Sequence, residues 1–252
     1  MKALTIQRKK YGVNIQEIYF SLETIKKNKC DLNINFCVDS KGKNTTSALT
    51  SIIDLTQETQ KIISNFRLTH RRGIQVYLDS KDLNYKFITH PSSKDIQVFC
   101  KAYDVLAREK NLPPCNETKL RFFVGQDALI FTNVSCAITG ELLCLHALIC
   151  NGERARLLHA VSNFRSYADD STKRNNLSKI HRALYWFEMN HFKKLGYKTY
   201  DLGGLGDESD PELEKINHFK RGFGGVDYKE YINFTPNNLK GWIAMHYLMK
   251  KL

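Results

Sequence analysis

Asp201 closes a short strand-like run, Lys198-Thr-Tyr-Asp-Leu202, and Gly203 and Gly204 follow at once. Glycine at a strand end supplies positive φ and lets a ligand come close to the backbone. Further along, Phe219-Lys220-Arg221 runs into a second glycine group at Gly222, Gly224 and Gly225. One carboxylate and two cations framed by glycines are the densest set of chemical groups in the chain. Asp201 in that setting is either a proton acceptor at a reacting centre or a structural carboxylate taking N–H bonds from the Gly203-Gly204 loop.

Histidines form a second set. Asn151-Gly152 between the apolar runs Leu142–Cys150 and Arg154–Val161 signals a hairpin. A two-residue turn sets His146 opposite Leu157, with His159 a diagonal neighbour; a four-residue loop sets the two histidines face to face. Both registers put them on one face of a central sheet, as satisfied core imidazoles or as groups that reach an amine. Arg71 and Arg72, before Gly73, either cap a helix or bind an anion. Glu188-x-x-His191 has the spacing of a di-iron ligand pair without a second copy and reads as a solvated or core pair. The seven cysteines contain no CxxC pair, so they read as small buried hydrophobes in a reducing compartment, and no metal is expected.

The elements that must position these groups alternate between strand and helix. Strand signals cover Val13–Leu22, Leu32–Val38, Ser51–Leu55, Ser135–Ile138, the two hairpin arms, Lys198–Leu202 and Tyr228–Phe234. Helical periodicity covers Gln57–Leu68, capped by Thr56, then Ser93–Lys110, Leu177–Leu195, a turn at Ile216–Arg221, and an amphipathic Asn238–Leu252. Lys119–Val134 fits either state, Ser162–Asn176 reads as a polar loop, and Asp207–Glu214 as an acidic one. The last helix either docks on the sheet or touches a membrane surface.

Thirty-eight Lys and Arg against 26 Asp and Glu leave a formal charge of +12, which fits an anionic partner or a lysine-rich solvated surface. No apolar run approaches the ~20 residues of a transmembrane helix. The start, MKALTIQRKKYG, lacks the apolar core of a signal peptide, so a cytoplasmic protein is expected.

The order YD-hydrophobic-GG, an acidic loop, then FK-x-GFGG resembles the closing segment of the FemABX-like acyltransferases, a branch of the GNAT (GCN5-related N-acetyltransferase) superfamily. The resemblance extends back to about Thr50, through Ser51-Ile-Ile-Asp-Leu55 and Arg71-Arg72-Gly73-Ile74. It implies an α/β fold: a GNAT-type mixed central sheet flanked by helices over residues 49–252, with residues 1–48 as a small N-terminal extension or remnant lobe. It also implies an N-acyltransferase that moves an acyl group from acyl-CoA (acetyl-CoA) to an amine on a sugar or cell-envelope precursor. An aminoacyl-tRNA donor is the alternative. The different-class reading is a non-catalytic, basic nucleic-acid or lipid-surface protein on this fold.

Residue by residue, the resemblance puts Phe219-Lys220 at the reacting centre beside Gly203, Gly204 and Arg221, with Arg71 and Arg72 on the substrate side. It places donor phosphate on the opening turn of the helix after the central hairpin, where this chain has Lys173, Arg174, Asn175 and Asn176 without the usual glycines. Transfer to an amine needs a neutral nucleophile and a stabilised oxyanion. Asp201, His146 and His159 are the expected proton acceptors, and Lys220 the expected oxyanion or phosphate partner.

Overall fold

The computed structural model of the chain describes residues 2–21, 29–163, 167 and 169–250. The described strands form one sheet of ten, in the order β1-β2-β3-β10-β4-β9-β8-β7-β6-β5. Their ranges are β1 Leu4–Lys10, β2 Val13–Tyr19, β3 Leu32–Val38, β4 Thr45–Asp54, β5 Leu83–Ile88, β6 Leu129–Cys136, β7 Leu142–Cys150, β8 Arg154–Ser162, β9 Thr199–Leu205 and β10 Val226–Pro236. Two neighbouring pairs are parallel, β2 with β3 and β8 with β9; the others are antiparallel. β10 lies between β3 and β4, so the first strands continue the same sheet.

The helices cover both faces: α1 Thr59–Ser64, α2 Leu68–Arg71, α3 Ile74–Leu78, α4 Ser93–Glu109, α5 Glu117–Val124, α6 Ser171–Lys194, α7 Pro211–Arg221 and α8 Leu239–Met249. One core joins α1, α3 and α6 to the sheet through Phe66, Trp186, Phe192, Tyr200 and Phe223. On the other face, Phe99 of α4 and Phe123 of α5 pack with Phe131, Ala147 and Val161. α4 begins with a full capping box, Ser92 with Asp95, and α7 with Asp210 bonded to two N–H groups ahead of Pro211.

Several boundaries differ from the sequence pattern. The helix expected over Gln57–Leu68 is broken, because Arg67 N–H bonds to Gly222 O and Gly73 takes a positive φ of 81°. Thr56 bonds to Asp54 instead of capping a helix. Gly203 and Gly204 do not end β9; the strand runs through them to Leu205, held by β4. Lys119–Val134 divides into α5 and β6, and half of the expected acidic loop is the first turn of α7. The polar run 162–176 is already helical from Ser171 and lies partly outside the described residues, as do the last residues of the expected C-terminal helix and Leu22.

The hairpin carries the largest correction. Its loop has four residues, pairing Cys150 with Ala155, and an extra β8 residue then enters between Leu157 and His159. One inserted residue inverts the alternation of side chains beyond it. His146 therefore faces Ala160, and His159 faces Ala147 on the opposite side of the sheet. The two histidines do not share a face.

Candidate active site

β8 and β9 pair only over Arg154–Arg156 against Thr199–Asp201. Beyond that point β8 stays with β7, β9 stays with β4, and the two strands part. The bulge at Leu158 turns β8 away. On β9, Gly203 takes a φ of 77°, and a Cβ there would lie 2.8 Å from Leu157 O. A wedge-shaped cavity of about 720 Å³ opens between the strands. Its walls include Leu157, His159 and Ala160 of β8, Leu202, Gly203 and Gly204 of β9, Ser178, His181 and Tyr185 of α6, and Phe219 and Lys220 of α7.

A buried ion cluster closes the strands below the wedge. Asp201, with no solvent exposure, accepts from Thr50 Oγ1, Gly203 N–H at 2.8 Å, Arg154 Nε at 3.0 Å and Arg156 Nη1 at 2.7 Å. Glu230 of β10 accepts from the same two arginines at 2.8 and 2.5 Å. Two carboxylates thus meet two guanidiniums, and the cluster is neutral. Burial pushes the Asp201 carboxyl up, but Arg156 and Arg154 outweigh it and hold the pKa below the ordinary value. Such a carboxylate is a weak proton acceptor, and its geometry is that of a clasp that also fixes Gly203.

Lys220 reaches the same point from α7. Its Nζ donates to Gly204 O at 2.5 Å. Burial lowers its pKa to about 8, against the pull of Asp201, with Arg156 adding to the lowering. At pH 7 a group of that pKa is about nine-tenths protonated. Phe219 beside it packs against His70, His181, Tyr185 and Phe223.

From the α6 side, a chain of imidazoles enters the wedge. Glu188, fully buried, accepts from Thr132 Oγ1 and Tyr200 OH, and its Oε1 lies 2.7 Å from His146 Nδ1. His146 Nε2 lies 2.7 Å from His181 Nε2. A carboxylate at Nδ1 fixes the proton there, so His146 Nε2 is the acceptor and His181 donates its Nε2–H. This leaves His181 Nδ1 with a lone pair on a residue that lines the wedge. Burial, then His146 and Arg182, hold the His181 pKa well below the ordinary imidazole value, so its resting state is neutral.

Cations gather at the edge of this site. The Arg182 guanidinium stands 5.8 Å from the centre of the Phe219 ring, and its buried Nε has no hydrogen-bond partner among the described residues. Arg67 Nη1 contacts His218 Nε2 at 2.6 Å. Burial, then Arg182, lowers His70 to about 4 despite its bond to Phe219 O, with Arg67 and His218 adding to the lowering.

The structure thus brings Gly203, Gly204, Phe219, Lys220 and, one layer in, His146 to one place. His159 also lines the wedge, from the α4 side, with its ring 4.6 Å from Tyr103 and its pKa lowered to about 4 by burial and then by Lys119. Lys173, Arg174, Asn175 and Asn176 lie on the first turns of α6 and are not among the residues that line the wedge. The cap of α6 is Asp170, bonded to Lys173 N–H at 2.9 Å. A carboxylate therefore already occupies the positive end of the helix. Asn176 accepts from Tyr77 OH. Arg71 and Arg72 are exposed at the end of α2. Arg221 points away from the wedge to Glu208 at 2.6 Å and Asp227 at 2.8 Å.

His181, Arg154 and Arg156 belong to none of the motifs singled out in the sequence, and Glu188 reads there as a solvated or core pair with His191. Leu177, His181, Tyr185 and Glu188 repeat at four, four and three residues, which is one helical face, and that spacing carries the signal. Arg154-x-Arg156 at the start of a strand carries the other, since alternate residues share a face.

The fold is shared with FemX and with lysylphosphatidylglycerol synthetase structures. The structure of FemX superposes with a TM-score of 0.62 at 10% identity, over 95% of this chain and 85% of FemX. The L-PGS of Bacillus licheniformis gives 0.56 at 12% identity, over 98% of this chain and 85% of that one. The C-terminal domain of a putative lysylphosphatidylglycerol synthetase from Agrobacterium fabrum gives 0.53 at 12%, over 97% and 83%. No protein-family model matches the chain, and neither does any curated protein sequence.

Proposed function

We propose that the chain is an N-acyltransferase that carries an acyl group from an activated donor to an amine held in the β8–β9 wedge. The convergence of Lys220 and the Glu188–His146–His181 chain on that wedge carries the reading. The acceptor nitrogen attacks the donor carbonyl, and a C–N bond forms as the carbonyl electrons move to oxygen. The Lys220 ammonium stabilises the oxyanion. His181 Nδ1 takes the proton released by the nitrogen, with the Nε2 side anchored by His146 and Glu188. Collapse breaks the bond to the thiolate or alkoxide leaving group, which takes back from His181 the proton that the nitrogen released, so the imidazole returns to its neutral state. Asp201 holds Gly203 and the strand ends in place throughout.

Two donors have separate support. The parted strands leave unpaired backbone edges, against which an extended amide-bearing chain such as the pantetheine arm of acyl-CoA can lie as an added strand. The Asp170 carboxylate on α6 opposes a pyrophosphate at the helix start, and the cations Arg67 and Arg182 with the +12 net charge favour a polyanionic donor such as aminoacyl-tRNA. The likeness of fold to FemX and to lysylphosphatidylglycerol synthetases supports a cell-envelope precursor as the source of the acceptor. The test is single-turnover transfer from radiolabelled acetyl-CoA and from charged bulk tRNA to a panel of amines and amino sugars. Product from either donor that is lost in Lys220→Met supports transfer. Salt-sensitive RNA binding with no product from any donor replaces it with a binding role.

A further inference from the structure

α8 is apolar on both sides. Its inner side, Gly241 and Met245, is buried, and a Cβ on Gly241 would lie 1.8 Å from Asp31 O, so the helix is pressed onto the start of β3. Its outer side carries Leu239, Trp242, Ile243 and Tyr247, which are 71%, 51%, 57% and 52% exposed. Tyr11, in the β1–β2 turn, is 87% exposed and shares with Ile243 and Tyr247 a groove of about 500 Å³. A surface helix in water ordinarily turns polar residues outward. A contiguous apolar and aromatic face of this kind marks a contact site.

The charges around the face select the occupant. Lys10 and Lys240 line the groove, and the segments 8–13 and 237–250 contain no Asp or Glu. The nearby carboxylate of Asp31 is already bonded to Asn14 N–H and Asn238. A second copy docked through a two-fold axis would set lysine against lysine with no counter-charge. Trp and Tyr rings favour the boundary between hydrocarbon and water, and flanking lysines favour anionic headgroups.

We propose that α8 and the β1–β2 turn form a face that docks on an anionic lipid bilayer, with Trp242, Ile243 and Tyr247 in the headgroup layer and Lys10 and Lys240 on lipid phosphates. The inference is independent of the transfer chemistry and is tested without turnover. Trp242 and Trp186 are the chain's two tryptophans, and Trp186 is buried at 5% exposure. A change in intrinsic fluorescence therefore reports on Trp242. The full chain is titrated with vesicles of phosphatidylcholine alone and of phosphatidylcholine with phosphatidylglycerol, with flotation as a second readout. The expected result is a blue shift and flotation with the anionic vesicles. Flotation weakens by about tenfold or more in Trp242→Glu and in the Lys10→Glu/Lys240→Glu pair, with circular dichroism unchanged. Absence of a shift, or equal flotation of Trp242→Glu, overturns the proposal. So does a dimer that forms without lipid and dissociates in Trp242→Glu, which would assign the face to a second copy.

Discussion

Replacing Lys220 with methionine should raise stability while removing transfer. The side chain fills the same space against Gly203, but the folded protein no longer has to hold an ammonium in a partly buried position. Moving a lysine from 10.5 to about 8 corresponds to about 3 kcal/mol disfavouring the charged form at pH 7. The amine end still meets water at the wedge, and the lost bond to Gly204 O offsets about 1 kcal/mol. The expected net gain is about 1 kcal/mol. The dependence on pH has a definite sign. Between about 8 and 10.5 the unfolded chain binds a proton at this lysine that the folded chain has released. Wild-type stability therefore rises with pH through that window, and the methionine variant lacks this rise. Urea melts at neutral and alkaline pH measure both effects, and single-turnover transfer measures the third, an expected fall of about 10²–10³. Wild-type turnover should also decline as pH passes about 8, the lysine losing its charge. A variant that is less stable at neutral pH and transfers at the wild-type rate refutes the reasoning.

His181→Asn should lower the transfer rate by about 10²–10⁴ with circular dichroism unchanged, because the proposed proton acceptor is lost; a normal rate removes His181 from the chemistry. Asp201→Asn leaves two arginines with one carboxylate and should destabilise by about 3–5 kcal/mol in urea melts. Asp201's own contribution is present above pH 3.8 and is lost as pH falls through its lowered folded value. Gly203→Ala meets Leu157 O at 2.8 Å in a positive-φ conformation and should cost about 1–3 kcal/mol while impairing acceptor binding in calorimetry.

Much of this arrangement is legible in the amino-acid sequence, and the illegible parts have identifiable causes. Leu142–Cys150 and its partner strand are readable because apolar runs flank Asn-Gly. The side of the sheet on which each histidine falls is not readable, because one bulged residue in β8 reverses it. Phe219-Lys220 beside the glycines is visible as a motif, yet the proton acceptor is not. Glu188 and His181 are seven residues apart on α6 and are joined through His146 of another element. Asp201 looks like a base because it is a carboxylate among glycines. Its two arginine partners lie 45 and 47 positions away on β8 and pair with it only once β8 and β9 align.

The Asp201–Arg154–Arg156–Glu230 cluster also explains why the wedge begins where it does. Parallel strands that part after three pairs would ordinarily fray further, since each unpaired rung exposes backbone donors and acceptors. Here the last rung, Arg156 opposite Asp201, carries a buried ion pair, and Glu230 on β10 ties the same arginines across β4 and β9. Opening the next rung would strand a buried charge, which is far costlier than a lost backbone bond. Toward the wedge the opposite holds, because the Leu158 bulge and the Gly203 backbone prevent pairing from advancing. The cleft floor is thus held from below by charge and from above by backbone shape. Lys220 and His181 are set against a boundary that does not shift.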